Sequence, residues 1–455
     1  MQTEQKINLF ENLTIPSAVA KLAIPTILSS LVMIIYNMAD TYFVGLLNQP
    51  IQTAAVTLAA PLLLAFNAVS NLFGVGSSSV MSRALGRKDY DTVKRSSVFG
   101  FYCALFSAIL FSMLCIIFNT PLLHMLGADS STIEATSAYM NSAIILGAVP
   151  SIINVVFAFL VRSEGSSLHA SIGTMSGCLL NIILDPIFIM PWGLNMGASG
   201  AGFATFLSNC VSCVYFIILL FCKRKSTLVC INPKMFSFRR DIVSAVCGVG
   251  VPASIQNLLN VTGMTILNNF TALYGANAIA AMGIVQKIHM IPLQMALGAT
   301  QGIMPLISYN YASKNKRRMK ESILYVLKIM LIFMIVVVIV CFNFANNIVS
   351  LFMDNSVVID YGARFLRAFV YALPFLCIDY MAVGVFQAIG EGKKSLIFAF
   401  LRKIVLEIPV LVALNYFFPL FGMPYAQLVA EIVLATAAIV MLHRIFNKDT
   451  DLKVK

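Results

Sequence analysis

Long apolar runs alternate with short polar gaps along the whole of this 455-residue chain. Runs such as 137–161, 205–222 and 323–342 reach the roughly 20 apolar residues that a helix needs to cross a bilayer core. Of the 31 Lys and Arg residues, 28 fall in every second gap. These basic gaps hold Lys6 and Lys21; Arg83, Arg87, Lys88, Lys94 and Arg95; Arg162; and Lys223, Arg224, Lys225, Lys234, Arg239 and Arg240. They continue with Lys314, Lys316, Arg317, Arg318, Lys320 and Lys328; Lys393, Lys394, Arg402 and Lys403; and Arg444, Lys448, Lys453 and Lys455. The gaps between them, near 45–52, 119–136, 190–198, 270–279, 346–360 and 416–425, hold no Lys or Arg. Cytoplasmic loops of membrane proteins retain positive residues because these resist translocation. The pattern predicts an all-α polytopic protein of about twelve transmembrane helices, in the cytoplasmic membrane of the cell, with both termini in the cytoplasm.

The longest basic gap lies at the midpoint and contains Asn232-Pro233. It divides the chain into a six-helix lobe over 1–228, a cytoplasmic linker over 229–240 and a second six-helix lobe over 241–455. The halves echo each other about 225 residues apart. Ala23-Ile24-Pro25 answers Gly250-Val251-Pro252, Ser163-Glu164-Gly165 answers Ala388-Ile389-Gly390, and Gly197 answers Gly422. An even number of spans per half gives both halves one orientation, related by a pseudo-two-fold axis along the membrane normal. Secondary transporters place substrate between such halves near the midplane.

Composition narrows the function classes. A mean hydropathy of +0.87 with 59% hydrophobic and 11% charged residues excludes a soluble core-and-shell protein of this length. The net charge of +12 serves topology and contact with anionic lipid head groups, not nucleic acid. The acidic, polar first segment (Glu4, Glu11) is not that of a cleavable signal peptide. Ten cysteines lie mostly within apolar runs, and Cys210-x-x-Cys213 has no second pair, so they read as helix packing. Prolines recur inside the spans, Pro25 and Pro252 among them, and each removes a backbone donor and favours a kink.

Five acids fall within apolar runs: Asp40, Asp185, Asp379, Glu407 and Glu431. Each costs about 2.5–3.5 kcal/mol at mid-bilayer on insertion scales, so such residues face a pathway or a partner. Asp40 follows Tyr36, and Asp185 follows Asn181, by one helical turn. A carboxylate beside an amide oxygen suits either a hard cation such as Na⁺ or reversible protonation, and both remain open. Lys287, Arg364 and Arg367 are the basic residues outside the loops, with Lys287 the deepest.

Tyr36-Asn-Met-Ala-Asp40-Thr-Tyr-Phe-Val-Gly45, Ser82-Arg83-Ala-Leu-Gly86, Asn181-Ile-Ile-Leu-Asp185-Pro186 and Gly197-Ala-Ser-Gly-Ala-Gly-Phe-Ala-Thr205 resemble the MATE family (multidrug and toxic compound extrusion) over essentially the whole chain. The resemblance implies a twelve-helix antiporter, not an enzyme, that expels amphipathic, often cationic compounds in exchange for H⁺ or Na⁺ and needs no cofactor. It implies a cation site in the first lobe at Asp40, Asn181, Asp185 and Thr205, which would also be the metal ligands under Na⁺ coupling. Tyr36, Tyr139 and Asn154 are implied beside it in the substrate cavity, and Pro25 as the kink of the first helix. The NorM branch carries a Glu on its seventh helix where this chain has Asn260, and its tenth-helix Asp is matched by Asp379. Asn260 and Asp379 are therefore expected to line the cavity without forming a second cation site, as in the MepA-like group. Small-molecule substrates and membrane lipids are the expected partners, and the expected state is a monomer.

The nearest rival is a flippase of lipid-linked oligosaccharide or peptidoglycan precursors. A pyrophosphate cavity needs several central Arg or Lys residues, and the sequence offers Lys287 alone. A polytopic transferase would need Asp, His or Arg clusters on a sizeable loop, and these loops are short.

Overall fold

A computed structural model describes residues 2–224 and 226–447, with side chains from Ile7 onward. Lys225, Lys448, Lys453 and Lys455, counted above among the basic positions, lie outside the described residues. Among the described residues there are helices and connecting segments but no strand. The first half comprises α1 (Gln2–Glu11), α2 (Ile15–Leu46), α3 (Pro50–Gly86), α4 (Tyr90–Ile117), α5 (Asn119–Met125), α6 (Ile133–Tyr139), α7 (Ala148–Ser163), α8 (Ser167–Ile189) and α9 (Gly197–Cys222). The second comprises α10 (Arg240–Ala272), α11 (Ala276–Ala312), α12 (Lys316–Asn343), α13 (Ala345–Ser350), α14 (Ser356–Val370), α15 (Leu373–Ile389), α16 (Gly392–Phe400), α17 (Ile408–Phe417) and α18 (Tyr425–Asn447). Two π-helical segments, Met140–Leu146 and Leu401–Glu407, join α6 to α7 and α16 to α17.

Nine described helices are long and apolar enough to cross a bilayer. Two bent pairs, Ile133–Leu146 with Ala148–Ser163 and Ser356–Val370 with Leu373–Ile389, bring the number to 11. The remaining span expected from the sequence is the run 392–417, split by the second π segment and carrying Arg402, Lys403 and Glu407 within it. All ten cysteines are free.

The internal repeat is written in the backbone. Left-handed residues recur about 225 positions apart: Asn48 (φ 53) with Gly275 (φ 90), Lys88 (φ 59) with Lys314 (φ 61), Gly165 (φ 85) with Gly390 (φ 87), and Asn195 (φ 52) with Leu420 (φ 66). The two bent spans break by 44° and 46° at the same spacing. Asp89 caps α4 through the Thr92 N–H, and Asn315 caps α12 through the Arg318 N–H. The hydrogen bonds from Thr92 hold the Asp89 carboxyl below its usual range. Packing follows the same rule. In one lobe α3 packs on α4 and α7, and α2 on α8; in the other α11 packs on α12 and α15, and α10 on α16. The lobes meet through α3 on α10 and α2 on α11, two pairings that a two-fold rotation exchanges.

The lobes touch most closely at the basic end. There Gly74–Ser82 of α3, Gly302–Asn310 of α11 and Asp379–Ile389 of α15 are buried without interruption, whereas exposed residues recur along the opposite halves of α3 and α11. Glycines make the approach possible: a Cβ on Gly250 would overlap the Leu72 carbonyl, and one on Gly86 would overlap that of Tyr309. Hydrogen bonds across the seam join Ser79 Oγ to the Gln387 carbonyl and Ser254 Oγ to the Ala68 carbonyl, both at 2.5 Å.

The amino-terminal helix reinforces this closure. Phe10 is fully buried and stacks on Tyr309 of α11 with centroids 4.8 Å apart. Tyr309 donates to Glu11 at 2.6 Å, and Arg318 of α12 donates to the Phe10 carbonyl at 2.6 Å. On the other side Leu9 and Phe10 press on Gly165, in the turn after α7 of the first lobe. Phe10→Ala is expected to remove about 3–5 kcal/mol from this arrangement. Spin labels at the exposed positions 88 and 314 should then report a longer basic-end distance in a larger fraction of molecules. An unchanged distance distribution would separate α1 from lobe closure.

Candidate ion and substrate site in the first lobe

One face of α8 carries Thr174, Cys178, Asn181 and Asp185, and one face of α9 carries Thr205, Ser208, Asn209 and Ser212, each at three- and four-residue spacing. The two helices pack side by side with α2 across α8, so these polar stripes face each other. Thr174, Cys178 and Asn181 of α8 and the α9 stripe, with Tyr36 of α2 and Asn154 of α7, line a cavity of about 40 Å³, room for a small ion or a few waters but not for a drug-sized molecule.

Asn181 lies between Asp185 and Thr205. Its amide satisfies both neighbours with Nδ2 donating to the fully buried Asp185 carboxylate at 2.9 and 3.3 Å and Oδ1 accepting from the Thr205 hydroxyl at 3.2 Å and its N–H at 3.1 Å. Turned over, the amide offers Oδ1 to Asp185 and donates to Thr205 Oγ1, the arrangement a protonated Asp185 or a bound cation would favour. The amide can therefore answer both states of the carboxylate without moving the helices. Asp40, half-buried on α2, lies within electrostatic reach of Asp185, Tyr139 and Tyr36.

A hydrogen-bonded chain leads away from the centre. Asn154 donates to Asn209 Oδ1 at 3.0 Å, and Asn209 donates to Ser151 Oγ at 3.0 Å and to the Thr205 carbonyl at 2.9 Å. Asn154 Oδ1, Ser208 Oγ and Ser212 Oγ are buried without a protein partner and belong to residues that line the cavity. Such atoms require water or an ion. Among the described residues no group of three or more His, Cys, Asp and Glu could hold a metal, so an ion here would rest on two carboxylates and neutral oxygens.

The structure thus brings together Tyr36, Asp40, Tyr139, Asn154, Asn181, Asp185 and Thr205. Pro25 sits three turns before Tyr36 in a continuous α2. Asn260, half-buried on α10, and Asp379 on α15 lie in the other lobe. Thr174, Ser208, Asn209 and Ser212 were missed by motif reasoning, although the polar stripe that Thr205 begins on α9 would have found the last three.

Two assignments of basic residues need correction. Arg402 and Lys403 do not sit in a loop: Arg402 is 1% exposed within the second π segment, and Lys403 is largely buried beside it. Lys287, expected to be the deep cation, is exposed. The buried pair is compensated by acids that the gap pattern does not reveal, Asp379 and Glu431 against Arg402 and Glu407 against Lys403. Arg364 pairs with Asp360 at the surface, and Arg367 lies over the Phe342 ring.

This two-lobe helical architecture, with a small polar site inside one lobe, defines a membrane transporter built on a duplicated six-helix unit. A profile of the MatE family matches residues 25–187 and 252–413, once in each half, and the chain belongs to that family. It is 30% identical over 448 residues to a protein named multidrug export protein MepA of Staphylococcus saprophyticus, covering 98% of each chain. A solved structure described as MATE in complex with MaL6 superposes with a TM-score of 0.92 at 27% identity, covering 98% of this chain and 99% of that one. Another, an outward-facing conformation of a multidrug resistance MATE family transporter, gives 0.91 at 27% identity and 98% of both chains.

Proposed function

We propose that the chain is a cation-coupled exporter of amphipathic, often cationic small molecules, working as a monomer in the cytoplasmic membrane with both termini inside. The observation that carries this is the Asn181 amide set between the buried Asp185 carboxylate and Thr205, able to donate to the charged carboxylate in one orientation and to offer its oxygen to a proton or cation in the other. Relatives named multidrug export proteins support the substrate class.

In the proposed cycle the lobes, 1–228 and 241–455, rock about the linker 229–240. With the basic end closed, the cavity between them opens outward. An ion from outside neutralises Asp185 and Asp40, Asn181 and Thr205 re-pair, and α2 shifts about Pro25, lowering the affinity for a cationic substrate. Substrate binds from inside once the carboxylates are free. The ion drives the change only through its different affinity in the two facings. Asn260 enters as a lining residue of the cavity between the lobes. Asp379, buried against Arg402, enters as a determinant of the cavity's charge.

Everted vesicles containing the chain should accumulate a fluorescent cationic dye when energised, and vesicles lacking it should not. Equal accumulation in both would sink the proposal. In intact cells, a cysteine at position 130 should react with an impermeant maleimide and one at 234 should not. Labelling at 234 would invert the orientation.

A further inference from the structure

Arg162, in the last turn of α7, is 7% exposed. Its guanidinium lies over the Phe159 ring at 5.5 Å, and Phe159 in turn packs against Gly74 of α3. Arg162 Nε is sealed from solvent without a hydrogen-bond partner. Among the described residues no acid pairs with Arg162, and no other charge lies within electrostatic reach of it. The carboxylate nearest in sequence, Glu164, is engaged instead by the Thr227 hydroxyl and the Leu228 N–H.

The internal repeat shows what the first lobe leaves out here. Gly165 answers Gly390, so Arg162 answers Gln387 of α15. Gln387 donates to Gln256 Oε1 of α10 at 3.2 Å and to Ser395 Oγ of α16 at 3.1 Å. Counted from Pro25 and Gly165 as those two are from Pro252 and Gly390, the equivalent positions are Ser29 and Ala170. Ala170 has no polar group, and Ser29 donates to the Thr26 carbonyl and accepts from Ser171. The first lobe thus replaces the amide by a cation and drops its partners. Arginine stays charged in any protein setting, and a buried charge is costly until it is paired and hydrogen-bonded. The negative end of the α7 dipole offsets part of that cost. The planar fork is left for one anionic group, and a single guanidinium matches a carboxylate bidentately.

The position suits a molecule in transit. α7 touches α3 of its own lobe and α11 of the other, so separating the lobes at the basic end uncovers Arg162 to the inside. Asn154, which lines the polar cavity of the first-lobe site, lies about 12 Å away along the same helix. We propose that Arg162 is an anion-recognition point on the substrate path, pairing with the carboxylate of an amphipathic substrate that enters from the cytoplasm. The cationic end of the same molecule is drawn to Asp40 and Asp185. This rests on the exporter reading above and gives it a selectivity, in which amphipaths that carry both charges are preferred to their esters.

The test uses the full chain in phosphatidylcholine nanodiscs, with a rhodamine bearing a free carboxyl group and its methyl ester as probes, read by fluorescence anisotropy. Arg162→Gln, the side chain the second lobe carries at the equivalent position, should weaken binding of the acid about 10- to 100-fold and of the ester less than about twofold, as for loss of a hydrogen bond to a charged group. Arg162→Lys keeps the charge without the fork and should cause a smaller loss, again for the acid alone. It serves where Arg162→Gln fails to assemble by size exclusion. Equal losses for acid and ester, or unchanged binding of the acid, would overturn the proposal. So would an Arg162-dependent preference that disappears when phosphatidylglycerol is added to the nanodiscs, since the site would then belong to a lipid phosphate. A wild-type chain that binds neither probe contradicts the exporter reading, and this inference with it.

Discussion

Asp185→Asn is expected to abolish gradient-driven export while the protein still assembles in the membrane and binds substrate. The new amide would pair with the Asn181 amide across the 2.9 Å contact and could neither gain nor lose a charge. No step of the cycle could then discharge the site. On insertion scales the charge removed carries about 2.5–3.5 kcal/mol, equivalent to roughly 100-fold in an equilibrium, so efflux should fall to the level of membranes without the protein. Asp40→Asn should act in the same direction, since the Asp40 charge lies within electrostatic reach of Asp185. Dye export by either variant at the wild-type rate, under imposed pH and sodium gradients alike, would make that carboxylate structural.

Gly250→Val is expected to wedge the lobes apart at their basic end. The first atom of the new side chain would overlap the Leu72 carbonyl on α3, and a carbonyl inside a helix cannot rotate away as a side-chain tip can. Overpacking of this kind costs about 1–3 kcal/mol, a factor of roughly 5 to 150 in the ratio of closed to open molecules. Labels at positions 88 and 314 should move apart, and export should decline even though every residue of the first-lobe site is intact. A normal distance with normal export would show that α3 and α10 yield locally and that this seam does not govern closure.

The span count, the duplication and the first-lobe site were legible because each leaves a local signature. Spans appear as uniform apolar runs, the duplication as echoed motifs about 225 residues apart, and the grouping of first-lobe polar residues as Tyr36/Asp40 and Asn181/Asp185 one turn apart. The second-lobe cluster was not legible for a physical reason. Arg402 and Lys403 look like loop residues because a positive-inside pattern assumes that uncompensated cations stay outside the bilayer. Arg402 is compensated by Asp379 and Glu431, 23 and 29 positions away and on different helices, which only tertiary packing shows, whereas Lys403 pairs with Glu407 one turn on. The seam glycines were similarly opaque. Gly86 and Gly250 look like ordinary helix glycines until α11 and α3 are placed against them.

The central claim is that discharge of the first-lobe carboxylates is exchanged for substrate. It is tested most directly in proteoliposomes that start with no ion gradient and carry a pH dye inside. Adding a cationic substrate outside should drive protons out through the wild-type chain as the substrate enters, and the signal should vanish with Asp185→Asn. Substrate entry with no proton or sodium movement in the opposite direction, or equal ion movement by Asp185→Asn, would contradict it.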